Sequence, residues 1–373
     1  IEPNNLESIK KETDEQKAEW ISNIKCSTCI DQITSDVKKK YLQQLGIARF
    51  EKKCKKVYDR LKELQFIKEL NIKEPVLGYD LTSQFRERKF QHSDFGSKEI
   101  WQQLLYELIF EALGYSKNKS QMLNLAQSVN VKFLNKIESD GVLVEKYEAA
   151  LFFISGLAHD SSSATDPATK TYIEKISLHW NSINSLYDGK YFDETYWHFF
   201  RLRPQNFPTV RLAGGARILK ELLHNNLIPL LTKKITEIHN LTVLINSLRS
   251  VFVIRSDGFW KNHYIFDQTA NAEIKYFVGA GRADEIVVNV VLPFFSVYFD
   301  IFGNYELSKK IIKLYNIYQQ RSENQIINEV AQALDLSEHT TRTVLAQGMI
   351  ELFRNFCSRN KCLECEIGKV VFN

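Results

Sequence analysis

The sequence predicts an all-α fold, a multi-helix globule with at most a small β-hairpin or a terminal strand. Three observations predict it. Apolar residues recur every three or four positions along most of the chain, the period of an amphipathic helix. Only 15 Gly and 7 Pro occur in 373 residues, too few to turn the many short strands of a sandwich or barrel. Hydrophobic residues make up 44%, with 24 Phe, 16 Tyr and 5 Trp among them. That apolar surface offsets the entropy of ordering the chain and excludes a disordered protein.

Taken in order, Trp20 and Ile24 open a first helix, and Tyr41, Leu45, Ala48, Tyr58, Leu61 and Leu64 mark the apolar side of a long second one. Asn71 to Gly96 has no period. Ser97 is a good N-cap residue, Trp101, Leu104, Leu105, Leu108, Ile109 and Ala112 follow at helical spacing, and Gly114 supplies a stop. Helical patterns continue over 119–129, 142–157, 170–187, 208–223, 227–248, 283–302, 306–319, 324–334 and 340–356. Residues 251–266 alternate in part, which predicts a hairpin around Asp257-Gly258, and Lys369 to Phe372 reads as a terminal strand. The Ser- and Asp-rich run Asp160 to Pro167 is the best loop signal. It predicts an N-terminal helical region, 1–158, closely packed on a C-terminal one, 169–373.

The longest apolar run, Ile286 to Phe299, is broken by Asn289 and Pro293 and falls short of the ~20 residues that span a bilayer. No membrane helix is expected. The first residues are acidic and amide-rich, lack an initiating Met and resemble neither a secretory signal nor a transit peptide. The chain is therefore expected to start inside a longer, cytoplasmic protein.

The formal net charge of +4 is mild, but it is unevenly spread. Between positions 38 and 63, Lys38, Lys39, Lys40, Arg49, Lys52, Lys53, Lys55, Lys56, Arg60 and Lys62 meet only Glu51, Asp59 and Glu63, ten cations against three anions on one predicted helix. Such a stripe suits the phosphate backbone of DNA or RNA. A solvated face, or a face that docks an acidic protein, has the same composition. The segment Trp197 to Ala213 places Arg201, Arg203 and Arg211 among aromatics, with Pro204 and Pro208 just before a helix. Guanidinium forks suit phosphate or carboxylate, and Pro208 in the first turn leaves other helix amides open to an anion. The plainer reading is a rigid loop whose Arg groups pair internally. Trp260, His263 and Tyr264 interleave aromatic and polar groups as base-stacking or ligand-closing segments do, although aromatic packing accounts for them equally simply. Gly279 to Asp284 lacks a full dinucleotide or phosphate-loop pattern, and neither H-E-x-x-H nor G-x-S-x-G occurs. No catalytic residue is expected from these patterns.

Six cysteines, Cys26, Cys29, Cys54, Cys357, Cys362 and Cys365, occur without an export signal, which favours metal thiolates over structural disulfides. Cys357, Cys362 and Cys365 form C-x4-C-x2-C, with Arg359 and Lys361 to offset thiolate charge. Two partitions are open. Cys26 and Cys29 with Cys362 and Cys365 have the spacing of structural zinc. One N-terminal cysteine, Cys26 ahead of Cys29, with Cys357, Cys362 and Cys365 suits a four-iron four-sulfur cluster. The iron-sulfur reading is favoured and zinc is the alternative, while buried ordinary thiols need no metal at all. Cys54 is expected to pack as a small apolar residue.

The run Ala346 to Leu352 followed by these cysteines resembles the iron-sulfur loop of base-excision DNA glycosylases of the endonuclease-three and adenine-glycosylase group. The first cysteine gap is shorter here, and neither the helix-hairpin-helix nor the catalytic Asp of those enzymes is present to carry their chemistry over. Leu113-Gly114-Tyr115-Ser116-Lys117-Asn118, Arg201-Leu202-Arg203-Pro204-x-Asn206-Phe207-Pro208-Thr209, Trp260-x2-His263-Tyr264-x-Phe266, Asn289-x3-Pro293 and the C-terminal cysteine segment together resemble the bacterial domain-of-unknown-function family numbered 2851. That resemblance implies a β-rich region ahead of this helical portion, with acidic residues arranged as in restriction-like nucleases. The expected function is nucleic-acid binding or processing, supported by a structural cysteine-held metal centre. A helical scaffold that binds a protein partner and catalyses nothing is the alternative.

Overall fold

A computed structural model describes residues 24, 30–71, 79–158, 161–321 and 324–372. The described residues are 71% helical, and their sheets are two antiparallel pairs of very short strands. The elements used below are α1 (Ser35–Leu70), α2 (Tyr79–Glu87), α3 (Lys98–Leu113), α4 (Lys119–Ser128), α5 (Val131–Leu134), α6 (Leu143–Ile154), α7 (Pro167–Ile183), α8 (Pro208–Leu223), α9 (Leu227–Glu237) and α10 (Leu241–Val251). Then come β1 (Ile254–Arg255), β2 (His263–Ile265), β3 (Gln268–Thr269), β4 (Tyr276–Val278), α11 (Ala280–Ile286), α12 (Leu292–Ile301), α13 (Tyr305–Ile317), α14 (Gln325–Ala333), α15 (Thr343–Asn355) and α16 (Glu366–Phe372). Two compact units result, one of Ile1–Lys53 with Ile312–Asn373 and one of Cys54–Ile311. The loop near Asp160 lies inside the second unit.

In the first unit, the start of α1 packs on α15 through two reciprocal glycines. A Cβ on Gly46 would sit 2.0 Å from the Val344 carbonyl oxygen, and one on Gly348 would sit 2.0 Å from that of Leu42. Each helix therefore meets the other's backbone. The Tyr315 hydroxyl donates to the Gly46 carbonyl at 2.9 Å, and its ring lies 4.6 Å from that of Phe50.

In the second unit, α8 is the core. Pro208 to Ala216, Ile218, Leu219 and Leu222 are all buried, as in a helix surrounded by others. It packs against α6, α3 and β4. Gly214 and Gly215, costly in a helix interior by about 1 kcal/mol each relative to Ala, make those contacts possible. A Cβ on Gly214 would lie 2.9 Å from Phe277 Cβ, and one on Gly215 would lie 2.7 Å from Phe110 Cζ.

Several expected elements change. The helix expected over 227–248 is two helices, because the Asn240 side chain caps α10 by accepting from the Val243 amide at 3.1 Å. Residues 283–302 are α11 and α12 joined by a π-helical turn, Val287–Val291, immediately before Pro293. A proline ring collides with the carbonyl four residues back, and the wider turn relieves that collision. Asp257-Gly258 is not a hairpin turn. β1 pairs with β4 instead, and the hairpin is β2–β3, with Asp267 left-handed at φ 58° in its turn. Lys369 to Phe372 belongs to α16, because among the described residues no strand pairs with it and the helix packs on the Cys362–Glu364 turn. Helix α2 arises within the segment that lacks a period. Ser97 occupies the N-cap of α3 without a side-chain cap bond, and Gly114 is right-handed. Gly114 is required because a Cβ there would come 2.2 Å from the Asn118 carbonyl oxygen; the left-handed residue is Tyr115, at φ 56°. Among the described residues no helix is long and apolar enough to cross a membrane.

Gly348→Ala is expected to lower stability by about 3 kcal/mol, the upper end of ordinary overpacking, because the obstacle is backbone. Gly96→Ala, with φ −72° and nothing within 4 Å of the added Cβ, is expected to stay within about 0.5 kcal/mol. Urea titrations followed by circular dichroism compare the two, and equal midpoints would contradict the close-packing account.

Candidate functional site

The basic stripe of α1 is largely paired within the chain. Lys38 is only 4% exposed and donates to the Leu334 carbonyl at 2.9 Å. Arg49 donates to Gln347 at 2.8 Å and Glu351 at 3.1 Å, Lys52 pairs with Glu351, and Lys53 donates to Gln347 at 2.9 Å. Burial raises the pKa of Glu351, but bonds from Lys52, Asn355 and Arg49 outweigh it and hold the carboxyl below its usual range. Within the second unit, Lys56 bridges Glu111 at 2.6 Å, Arg60 grips Glu107 through Nε at 2.7 Å and Nη2 at 3.1 Å, and Lys62 pairs with Asp59 at 2.8 Å. Of the ten cations, Lys39, Lys40 and Lys55 alone have neither a side-chain hydrogen bond nor an ion pair among the described residues. Spacing shows a cationic face, but not the carboxylates that distant helices bring to it.

Trp260, His263 and Tyr264 are scaffold. Trp260 is 1% exposed, stacks on Phe152 at 5.0 Å and donates through Nε1 to the Tyr172 hydroxyl at 2.8 Å. His263 stacks on Phe259 at 4.0 Å, and its two ring nitrogens lie 3.2 Å from the Phe259 carbonyl and from Asp166 Oδ2. Tyr264 is half-buried and its carbonyl accepts from Thr209 Oγ1. This ties β2 to the first turn of α8.

The arginine loop is different. Arg201, left-handed at φ 57°, lies exposed over the Phe200 ring, and Arg203 is exposed just before the 3-10 turn Pro204–Asn206. Asn118 clips this stretch by donating to the His198 carbonyl at 2.8 Å and accepting the His198 amide at 2.9 Å. Arg211, in the first turns of α8, is 5% exposed. Its Nη1 donates to the Phe277 carbonyl at 2.5 Å and its Nη2 to Asn206 Oδ1 at 2.6 Å, while its buried Nε has no partner. Among the described residues it has no carboxylate. Arg217, on the same helix, shows the ordinary solution, pairing with Glu148 at 2.5 Å and with Asp257.

A second cation lies close to Arg211. Arg282 of α11, its side chain 8% exposed, pairs through Nη1 with Glu285 at 2.6 Å, and its guanidinium stands 3.4 Å from the centroid of the Tyr115 ring. Its buried Nη2 has no partner. Desolvation, and then the charge of Arg282, push Arg211 down to about 9. Burial lowers Arg282 as well, opposed by Glu285. Both remain cationic at neutral pH, so two buried guanidiniums share one carboxylate. Such an excess is costly in an interior and strongly attracts an anion. Sequence reading singled out Arg211 but not its partner. The signal for Arg282 lay in Leu113–Asn118, which supplies the Tyr115 platform.

Cys357 and Cys365 are buried and Cys362 is partly exposed. Burial and the neighbouring Cys365 push the Tyr41 phenol well above its ordinary range. Among the described residues no three His, Cys, Asp or Glu side chains gather as a metal-ligand set, so Cys357, Cys362 and Cys365 do not form one by themselves. Cys26 and Cys29 lie outside the described residues. Cys54 is partly exposed on α1.

Asn118→Ala is expected to cost about 1–3 kcal/mol, because the two hydrogen bonds that this buried side chain makes to the His198 backbone are lost together. Thermal unfolding checks it, and a change below about 0.5 kcal/mol would show that the clip is dispensable.

The family described as Protein of unknown function (DUF2851) matches residues 84–325. No curated protein and no solved structure matches the chain. The matched stretch contains Tyr115, Asn118, Arg201, Arg203, Arg211 and Arg282, whereas the stripe of α1 and the C-terminal cysteines lie outside it. With well over half of its length in that match, the chain belongs to the DUF2851 family.

Proposed function

We propose that the chain binds nucleic acid, with its phosphate contacts on the loop that carries Arg201, Arg203 and Arg211. The observation that carries this reading is Arg211, a buried cation without a carboxylate, at the base of a loop whose other two arginines are exposed. Internal pairing normally neutralises buried arginines, as it does Arg217. Lys39, Lys40 and Lys55 are the cations of α1 that no partner among the described residues occupies, whereas Lys38, Lys52, Lys53 and Lys56 hold partners within the chain. The reading is of binding, with no nucleophile or base assigned. A cytoplasmic setting accords with it, since a reducing compartment keeps the described cysteines as thiols.

Fluorescence anisotropy with single- and double-stranded DNA and RNA tests the proposal. Affinity is expected to fall steeply with salt, and Arg201→Gln with Arg203→Gln to reduce the log-log slope by about two for duplex DNA. Absence of binding at low salt would remove the reading, and capture of a protein partner that survives nuclease treatment would favour the helical scaffold instead.

A cysteine-held metal centre is a second proposal, favoured by one observation. Tyr41 of α1 lies against Cys365, so a helix that follows the N-terminal pair in sequence reaches the C-terminal cysteine loop. Cys26, with Cys29 as substitute, would complete an iron-sulfur set with Cys357, Cys362 and Cys365. Zinc would take Cys26, Cys29, Cys362 and Cys365. The role is structural, a crosslink between distant segments. Anaerobic purification with iron, sulfide and zinc analysis decides: iron with matching sulfide supports the cluster, zinc without sulfide the alternative, and neither metal returns the cysteines to ordinary thiols.

A further inference from the structure

We propose that Arg211 and Arg282 form a socket for a single phosphomonoester group, a specification that rests on the phosphate-binding reading above. Four observations converge on it. Each guanidinium keeps one buried N–H without a partner, Nε of Arg211 and Nη2 of Arg282. Arg211 has its other two nitrogens held by Phe277 and Asn206, and Arg282 is anchored through Nη1 on Glu285, so neither guanidinium swings freely to new acceptors. The two charges outnumber the one carboxylate beside them. Helix α8 starts there with Phe207 at its N-cap and no side chain to cap it, leaving first-turn amides for an anion.

Enclosure selects the form of phosphate. An internal phosphodiester carries a nucleotide on each side and lies along a surface, which is where Arg201 and Arg203 stand. A group that reaches nitrogens sealed from solvent must be terminal. A phosphomonoester also carries roughly −1.5 to −2 charges near neutral pH and three acceptor oxygens, more than a carboxylate offers to two guanidinium edges. Tyr115, stacked on Arg282, and the Asn118 clip on His198 hold the flanking loops. The source is either the phosphorylated end of a strand or a small phosphorylated ligand.

The test uses the full chain. Thermal midpoints are measured in inorganic phosphate and in chloride at equal ionic strength, and binding is compared for strands ending in 5′-phosphate, 3′-phosphate or hydroxyl. Phosphate is expected to raise the midpoint, and a phosphorylated end to tighten binding at least about tenfold through charge-assisted bonds. Arg211→Gln and Arg282→Gln should each abolish both effects, whereas Lys309→Gln, at an exposed pair with Glu306, should abolish neither. If Arg211→Gln does not fold, Arg282→Gln and competition of inorganic phosphate against the phosphorylated strand carry the test. Strands that bind with no preference for a terminal phosphate, together with an unmoved midpoint, overturn the socket and leave the nucleic-acid reading intact. A phosphate-raised midpoint without strand binding keeps the socket, assigns it to a small ligand and removes the nucleic-acid reading.

Discussion

Burial of helix Pro208–Leu223, unbroken from Pro208 to Ala216, is the constraint on which the larger unit depends. A helix so enclosed admits neighbours only where its own side chains are small, and Gly214 and Gly215 provide that opening for Phe277 and Phe110. Each glycine forfeits about 1 kcal/mol of helix propensity, which the burial of two aromatic rings, worth roughly 1.5–3 kcal/mol each, more than offsets. The same burial strips water from polar groups that the helix turns inward. Arg211 and Arg217 are thereby forced to find partners inside the protein.

Their different solutions separate structure from site. Arg217 is matched by Glu148, whose carboxyl is pushed up by burial and pulled back by that guanidinium, and Asp257 closes the pair toward solvent. Arg211 bonds only neutral acceptors and feels the charge of a second cation more strongly than that of Glu285. An arginine cannot escape such a setting by losing its proton near neutrality. The charge excess is a property of the folded chain, and an anion is the simplest group that would balance it.

The long basic helix illustrates the opposite case. Its lysines and arginines look like a polyanion-binding face in sequence, yet Arg49, Lys52, Lys53, Lys56 and Arg60 serve as the cationic halves of contacts to Glu351, Gln347, Glu111 and Glu107. Exposed pairs such as Lys56 with Glu111 contribute little to stability. Their consequence is electrostatic, since they reduce the field that the stripe projects.

Local information determined what local physics controls. Helical periodicity, the scarcity of Gly and Pro and the N-terminal Pro208 were enough for the fold class and for the bounds of α8, because these depend on neighbours three or four residues away. The break at Asn240, the π turn before Pro293 and the β1–β4 pairing were less legible, since each depends on a competing side-chain bond, a steric clash or a distant strand. The site divides in the same way. Arg201, Arg203 and Arg211 stood out as an unusual run of arginines, but composition carries no record of which carboxylates are absent from their surroundings. Only the tertiary structure joined Arg211 to Arg282 and Tyr115 while assigning partners to Lys38, Lys52, Trp260 and His263. Charge pairing and desolvation act between residues that the chain separates and the fold brings together.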